Sequence, residues 1–169
     1  MEQSVYLVLA NGAYFAGHAI GYWEEDTTGE LVFTTGMTGY LETLTDPSYA
    51  GQIVLQTFPL IGNYGLIPDD FEGGCFAKGY VVRELCEEPS NFRSEGTLNE
   101  FLENHHIPGI AGVDTRAIAK ILREEGTMNA MLCRAIPENL SALQEYRIRN
   151  AVALTSSKAV QEYSGQGPH

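Results

Sequence analysis

The sequence predicts a mixed α/β domain on three observations. The first half of the chain is glycine-rich and carries short β-branched and aromatic runs bounded by glycine or proline, the pattern of strands. Around Thr97 the apolar spacing lengthens from two residues to about three and a half, the pattern of helices packed against one side of a sheet. The third observation is size: 169 residues, 44% apolar and 19% charged, make one globular core. Such a chain buries about 70% of the surface its unfolded form exposes, so it needs neither a disulfide nor a metal to hold it together.

Along the chain, Val5–Leu9 and Ala13–Gly17 flank Asn11-Gly12, a pair that supplies the positive φ values of a two-residue hairpin turn. Glu30–Thr34, Gln52–Phe58 and Phe76–Arg83 are further strand runs, which gives a twisted sheet of about five or six strands. Thr97 and Glu100 make a capping box ahead of the apolar stripe Leu98, Phe101 and Leu102. A short strand, Ile107–Val113, follows. Asp114 is a good N-cap for a helix over Thr115–Glu125, whose Ala117, Ile118, Ile121 and Leu122 face one way, with Gly126 just past its end. Met128–Ala135 returns as a strand, and Asn139–Arg149 forms a last helix begun just after Pro137. From Ala151 the chain turns small and polar, so residues 1–150 read as the domain and 151–169 as a linker toward another.

Charge narrows the partners. Twenty-two acids against ten bases give a net charge of −12, which repels phosphate backbones and anionic headgroups and argues against nucleic acid or membrane surfaces. The apolar run Val5–Ala10 is far shorter than a membrane span and has no basic leader. Three widely spread cysteines suit a reducing cytoplasm better than a disulfide framework.

No residue here reads as catalytic or metal-binding. A cysteine nucleophile needs a nearby base and a sharp strand-to-helix turn, which none of the three has. Cys75 precedes a strand, Cys86 lies among Glu84, Glu87 and Glu88, and Cys133 sits in an apolar stretch, so each reads as a packed thiol. His18, His105, His106 and His169 lack the spacing of a metal site. His105-His106 instead fit the C-terminal end of a helix, where a cationic ring meets the dipole. Gly73–Gly79 lacks the spacing of a phosphate loop, and Glu24-Glu25-Asp26 reads as a solvated turn.

The densest unusual stretch runs from Phe33 to Tyr49. Gly36 and Gly39 bare the backbone where a strand ends, which suits close approach of a ligand or another chain. Asp46-Pro47-Ser48-Tyr49 fits a type I turn with a hydroxyl displayed at its tip.

Several segments together are recognisable: Gly17-His-Ala-Ile-Gly21, Thr35-Gly-Met-Thr-Gly-Tyr40, Leu44-Thr-Asp-Pro-Ser-Tyr49, Pro59-Leu-Ile-Gly-Asn-Tyr-Gly65, Ser90-Asn-Phe-Arg93, Asp114-Thr-Arg116 and Leu122-Arg-Glu-Glu-Gly126. In order and spacing they resemble the N-terminal domain of the small chain of glutamine-dependent carbamoyl-phosphate synthase. Two positions depart from the family's usual residues, Thr34 for Asn and Leu41 for Gln. The resemblance implies a swivelling β/β/α fold. It also implies a second, class I amidotransferase domain outside this sequence, which hydrolyses L-glutamine with a Cys-His-Glu triad. The ammonia then passes to a large subunit that consumes ATP and bicarbonate with a divalent metal. For this domain the resemblance implies no cofactor of its own, docking against the large subunit, and one glutamine contact, Ser48. An alternative reading is a stand-alone β-rich interaction module that presents Tyr40, Tyr49 and Tyr64.

Overall fold

In the computed structural model, which describes residues 4–160 and 162, the alternation at Val5, Leu7 and Leu9 becomes the buried inward face of β1 (Ser4–Leu9). β2 (Tyr14–Gly21) returns antiparallel, with Val8 opposite Tyr14. The two strands are joined through Ala10–Ala13, and the Leu9–Ala13 hydrogen bond closes a three-residue loop, Ala10–Gly12, where two residues were expected. Gly12 N–H donates to the Leu9 carbonyl at 2.9 Å, and Leu9 N–H donates to the Ala13 carbonyl at 2.8 Å. Only Gly12 takes a positive φ, 93°, while the Asn11 side-chain oxygen accepts the Ala13 N–H at 3.0 Å. Asn11 therefore serves through its amide rather than through a left-handed backbone.

The chain continues through β3 (Thr27–Thr34), α1 (Tyr40–Thr45), β4 (Gln52–Gln56), the two-residue β5 (Leu60–Ile61) and β6 (Gly79–Val81). The two-residue β7 (Glu84–Leu85), α2 (Leu98–Asn104), β8 (Pro108–Ala111) and α3 (Thr115–Glu125) come next. β9 (Met128–Cys133), α4 (Ser141–Glu145) and α5 (Ala151–Thr155) complete it. Seven strands pair in the order β1-β2-β8-β6-β4-β3-β9, and β9 closes on β1 with Leu7 opposite Leu132. β5 and β7 form a separate parallel pair. The expected sheet of five or six strands is thus a closed, mixed barrel, which leaves none of its seven strands with an unpaired edge. β3, β4, β6 and β8 run parallel to one another, so their C-terminal ends share one rim.

Closure also corrects the expectation that helices lie on one side. Inward residues Leu7, Leu31, Ile53, Leu55, Ile110 and Leu132 fill the barrel. Outward residues need their own cover, and they get it in two places. Val54, Tyr80 and Ala111 pack with Leu41 and Leu44 of α1 and Leu98 and Leu102 of α2. Val8 and Cys133 pack with Leu143 of α4. α3 instead sends Ile118, Ala119 and Leu122 into the interior cluster and stoppers the barrel.

α3 has the expected bounds, capped by Asp114, whose side chain accepts the Ala117 N–H at 3.0 Å. The capping box of α2 is complete, with Glu100 N–H donating to Thr97 Oγ1 at 3.2 Å and Thr97 N–H to Glu100 Oε2 at 2.8 Å. Other elements are shorter than expected. Phe76–Arg83 contributes only Gly79–Val81, because Phe76 and Lys78 bond to Gly51 and Gln52 outside regular register. α4 stops at Glu145 because the Asn129 side chain donates to the carbonyls of Leu143 at 2.9 Å and Tyr146 at 3.0 Å. α5, with no buried residue, occupies the start of the expected linker, while residues 161 and 163–169, His169 among them, lie outside the described residues. Among the described residues no helix is long and apolar enough to cross a membrane.

Candidate functional site

Between β3 and β4 the chain crosses from one end of the barrel to the other. Thr35–Thr38 are exposed, and Gly39 takes φ 83° to start α1. No side chain of its own caps that helix. The Tyr64 hydroxyl accepts the N–H of Gly39 at 2.9 Å and of Tyr40 at 3.3 Å. The rings of Tyr40 and Tyr64 stack at 4.1 Å, and Tyr40 donates its hydroxyl to the Gly65 carbonyl at 2.8 Å. Burial raises both phenols above the ordinary tyrosine range. Tyr40 is 1% exposed, so the tyrosines expected in the alternative reading do not form one exposed face.

The crossover ends at Ser48. Asp46 sets the corner: its side chain accepts the Ser48 N–H at 2.8 Å, and its carbonyl accepts the Tyr49 N–H at 3.2 Å. Ala50 N–H donates to the Pro47 carbonyl at 3.1 Å, so the expected type I turn is extended into a 3-10 turn over Pro47–Tyr49. Ser48 is exposed, and its hydroxyl has no hydrogen-bond partner among the described residues. It is held by its backbone and offered by its side chain. Close by, a methyl added at Gly51 would meet Ile148 at 3.0 Å, so the C-terminal segment reaches the same end of β4.

The loops after the four parallel strands meet at the opposite rim. Thr35, Thr57, Arg83 and Asp114 border a groove of about 990 Å³, the largest of those found among the described residues. One wall is α3, where Arg116, Lys120 and Arg123 recur at i, i+4 and i+7 on one exposed face. The helix was legible in the sequence, but the meeting of its basic face with Arg83 depends on pairings distant in the chain. Of the two departures from the family pattern, Thr34 ends β3 between the groove-lining Phe33 and Thr35, and Leu41 lies in α1. Thr34 Oγ1 accepts the Gly36 N–H at 3.4 Å, and Leu41 is fully buried on the inner face of α1.

The thiols are packed. Burial pushes Cys75 up to about 11 and Cys133 up to about 11, so neither holds a thiolate near neutral pH, and Cys86 donates Sγ–H to the Glu88 carbonyl at 3.4 Å. At the end of α2, His105 leans on Phe101 with ring centroids 4.3 Å apart, and His106 meets Tyr22 edge-on at 4.5 Å. Burial, then the neighbouring His106, lowers the pKa of His105, so the expected cationic cap is disfavoured. Among the described residues no three His, Cys, Asp or Glu side chains gather as a metal site. The exposure of one aromatic in the Ser90–Arg93 segment was not foreseen: Phe92, 98% exposed, sits in a turn braced by Asn91 and by Arg93, which lies 3.6 Å from Asp69 and from Asp70.

Comparison with known proteins gives one answer. Residues 7–132 match the family described as "Carbamoyl-phosphate synthase small chain, CPSase domain". The carbamoyl phosphate synthase small chain of Listeria innocua is 54% identical over 142 residues, 83% of this chain and 39% of the relative. That of Bacillus caldolyticus is 45% identical over 166 residues, 95% of this chain and 45% of the relative. The carbamoyl phosphate synthase pyrimidine-specific small chain of Bacillus subtilis is 48% identical, with the same two coverages of 95% and 45%. The chain spans less than half the length of the curated relatives it matches, and the match covers their N-terminal part.

Proposed function

The chain belongs to the carbamoyl-phosphate synthase small-chain family, and on that premise we propose that it is the non-catalytic N-terminal domain of a glutamine amidotransferase subunit. Residues 1–150 are the domain, and the stretch from Ala151 leads to a class I amidotransferase domain that holds the nucleophile. The barrel with α1 and α2 over its outer face is our reading of the swivelling β/β/α arrangement. In the assembled cytoplasmic enzyme this domain docks the large subunit and completes the glutamine pocket with Ser48. ATP, bicarbonate and a divalent metal act on the large subunit. Carbamoyl phosphate then serves arginine and pyrimidine synthesis, the latter in keeping with the name of the Bacillus subtilis relative.

One observation carries the reading: the exposed Ser48 hydroxyl lies at the end of β4 that the C-terminal segment also reaches through Ile148. A domain that follows this segment is delivered near the serine. There Ser48 is a positioning group. Its hydroxyl exchanges one hydrogen bond with the amino-acid end of L-glutamine while a thiolate on the following domain attacks the side-chain amide. The Asp46 side chain fixes the Ser48 backbone, so the hydroxyl needs only its own rotation to meet the ligand.

The test is Ser48→Ala in the intact small chain. A hydrogen bond to a charged group contributes about 1.5–3 kcal/mol, so the KM for glutamine rises roughly ten- to a hundredfold, with kcat nearly unchanged. Unaltered glutamine kinetics remove Ser48 from the pocket. The isolated domain is expected to hydrolyse neither glutamine nor ATP.

A further inference from the structure

We propose that the groove between α3 and the C-terminal rim of the parallel strands is the seat for an acidic, carboxylate-bearing segment of the large subunit. This rests on the docking reading above and assigns it a surface and a chemistry.

Charge distribution is the first support. The groove collects Arg83, Arg116, Lys120 and Arg123, four of the chain's ten cations, but only Asp114 and Glu124 of its 22 acids. Everywhere else acids outnumber bases by more than three to one, so a concentration of cations here runs against the charge of the whole molecule. These cations are not used for folding. Lys120 has Glu124 at 3.8 Å in an exposed i,i+4 pair of the kind that contributes little. Arg83, Arg116 and Arg123 make no side-chain hydrogen bond or ion pair among the described residues. Asp114 is occupied as the N-cap of α3.

Shape is the second support. Phe33, Pro59, Ala117 and Ala119 line the same groove as the guanidinium-bearing side chains, and about 990 Å³ admits a peptide segment rather than a lone ion. Arginine beside apolar side chains is the composition of protein interfaces, where a planar fork grips a carboxylate at two points. Position decides which partner. The groove lies at the C-terminal ends of β3, β4, β6 and β8, whereas Ser48 and Ile148 lie at the opposite end of β4. On the proposed function the chain's own following domain completes the glutamine pocket at the serine end, which leaves the basic rim for the other subunit.

The experiment measures binding of the full-length small chain to its large subunit at about 50 and 300 mM salt, for wild type, Arg116→Glu/Arg123→Glu and Arg116→Lys/Arg123→Lys. Both positions are exposed, and an unchanged thermal midpoint checks the fold of each variant. The reversal variant is expected to bind at least roughly tenfold more weakly at low salt, with a flatter salt dependence. The lysine variant keeps the charge but loses the fork, and is expected to fall between the wild type and the reversal in affinity while keeping the wild-type salt slope. Reversal that leaves Kd within twofold, against a wild type that binds, overturns the groove as the seat. A wild type that never binds overturns the docking reading itself, and this proposal with it. A third arm titrates inorganic phosphate at up to about 1 mM. Phosphate binding abolished by the reversal, with subunit affinity untouched, assigns the groove to a small anion instead.

Discussion

In the barrel wall, Ile53 and Leu55 are held by strands on both sides and by the interior cluster, whereas the start of α1 and the Ser48 corner depend on a few local groups, chiefly the Tyr64 hydroxyl and the Asp46 carboxylate. The wall is redundant, and the crossover is not. A substitution in the wall changes stability and leaves the displayed surface in place while the protein remains folded. A substitution at one of those capping groups leaves the barrel interior intact and moves what the domain presents.

The largest expected effect tests the wall. Ile53→Ala removes a fully buried interior side chain and costs about 2–5 kcal/mol in chemical denaturation, with the KM of the full-length protein for glutamine unchanged in the fraction that folds. A loss below about 1 kcal/mol would mean the barrel interior yields more than its closure implies. Next comes Tyr64→Phe, which keeps the ring stacked on Tyr40 but leaves the N–H groups of Gly39 and Tyr40 without their acceptor. It is expected to cost about 1–3 kcal/mol and to speed amide exchange in α1 before any in β4. Equal acceleration in both elements would erase the contrast.

Asp46→Ala has a smaller effect, about 0.5–2 kcal/mol, confined to the corner where its side chain caps Ser48. Loosened exchange at the Ser48 amide beyond what the shift of the global midpoint accounts for is the signature. The smallest effect is acidic. At α2 the backbone and side chain of Thr97 hold Glu100 below its usual pKa, and burial lowers His105. Both groups are less readily protonated when folded than when unfolded. Their contributions are therefore complete above the unfolded pKa values and fade as pH falls, for His105 below about 6.5 and for Glu100 below about 4.5. His105→Gln is expected to remove only the upper step from a stability–pH profile.

The same contrast explains what was legible in the sequence. β1, β3, β4 and α3 were readable because period and caps act within a few residues, as Asp114 and Gly126 do for α3. α1 was missed because its cap is a tyrosine 25 residues away. β5 and β7 were missed because two-residue strands carry no period. Barrel closure was hidden too, since the pairing of Leu7 with Leu132 depends on sites at opposite ends of the chain. Ser48 was visible as a displayed hydroxyl from its turn chemistry, but the glutamine proposed for it came from family resemblance alone. The basic groove escaped notice because Arg83 and Arg116 join only after folding.

A ring of strands closed on itself has a further consequence for recognition. Apart from the short β5–β7 pair, the main sheet offers no backbone ladder that a visiting polypeptide can extend. Whatever binds this wall must grip side chains and loop tips, whose identities change by single substitutions, rather than main-chain groups that every sequence shares. Selectivity for one partner over another is thereby written residue by residue on the rims.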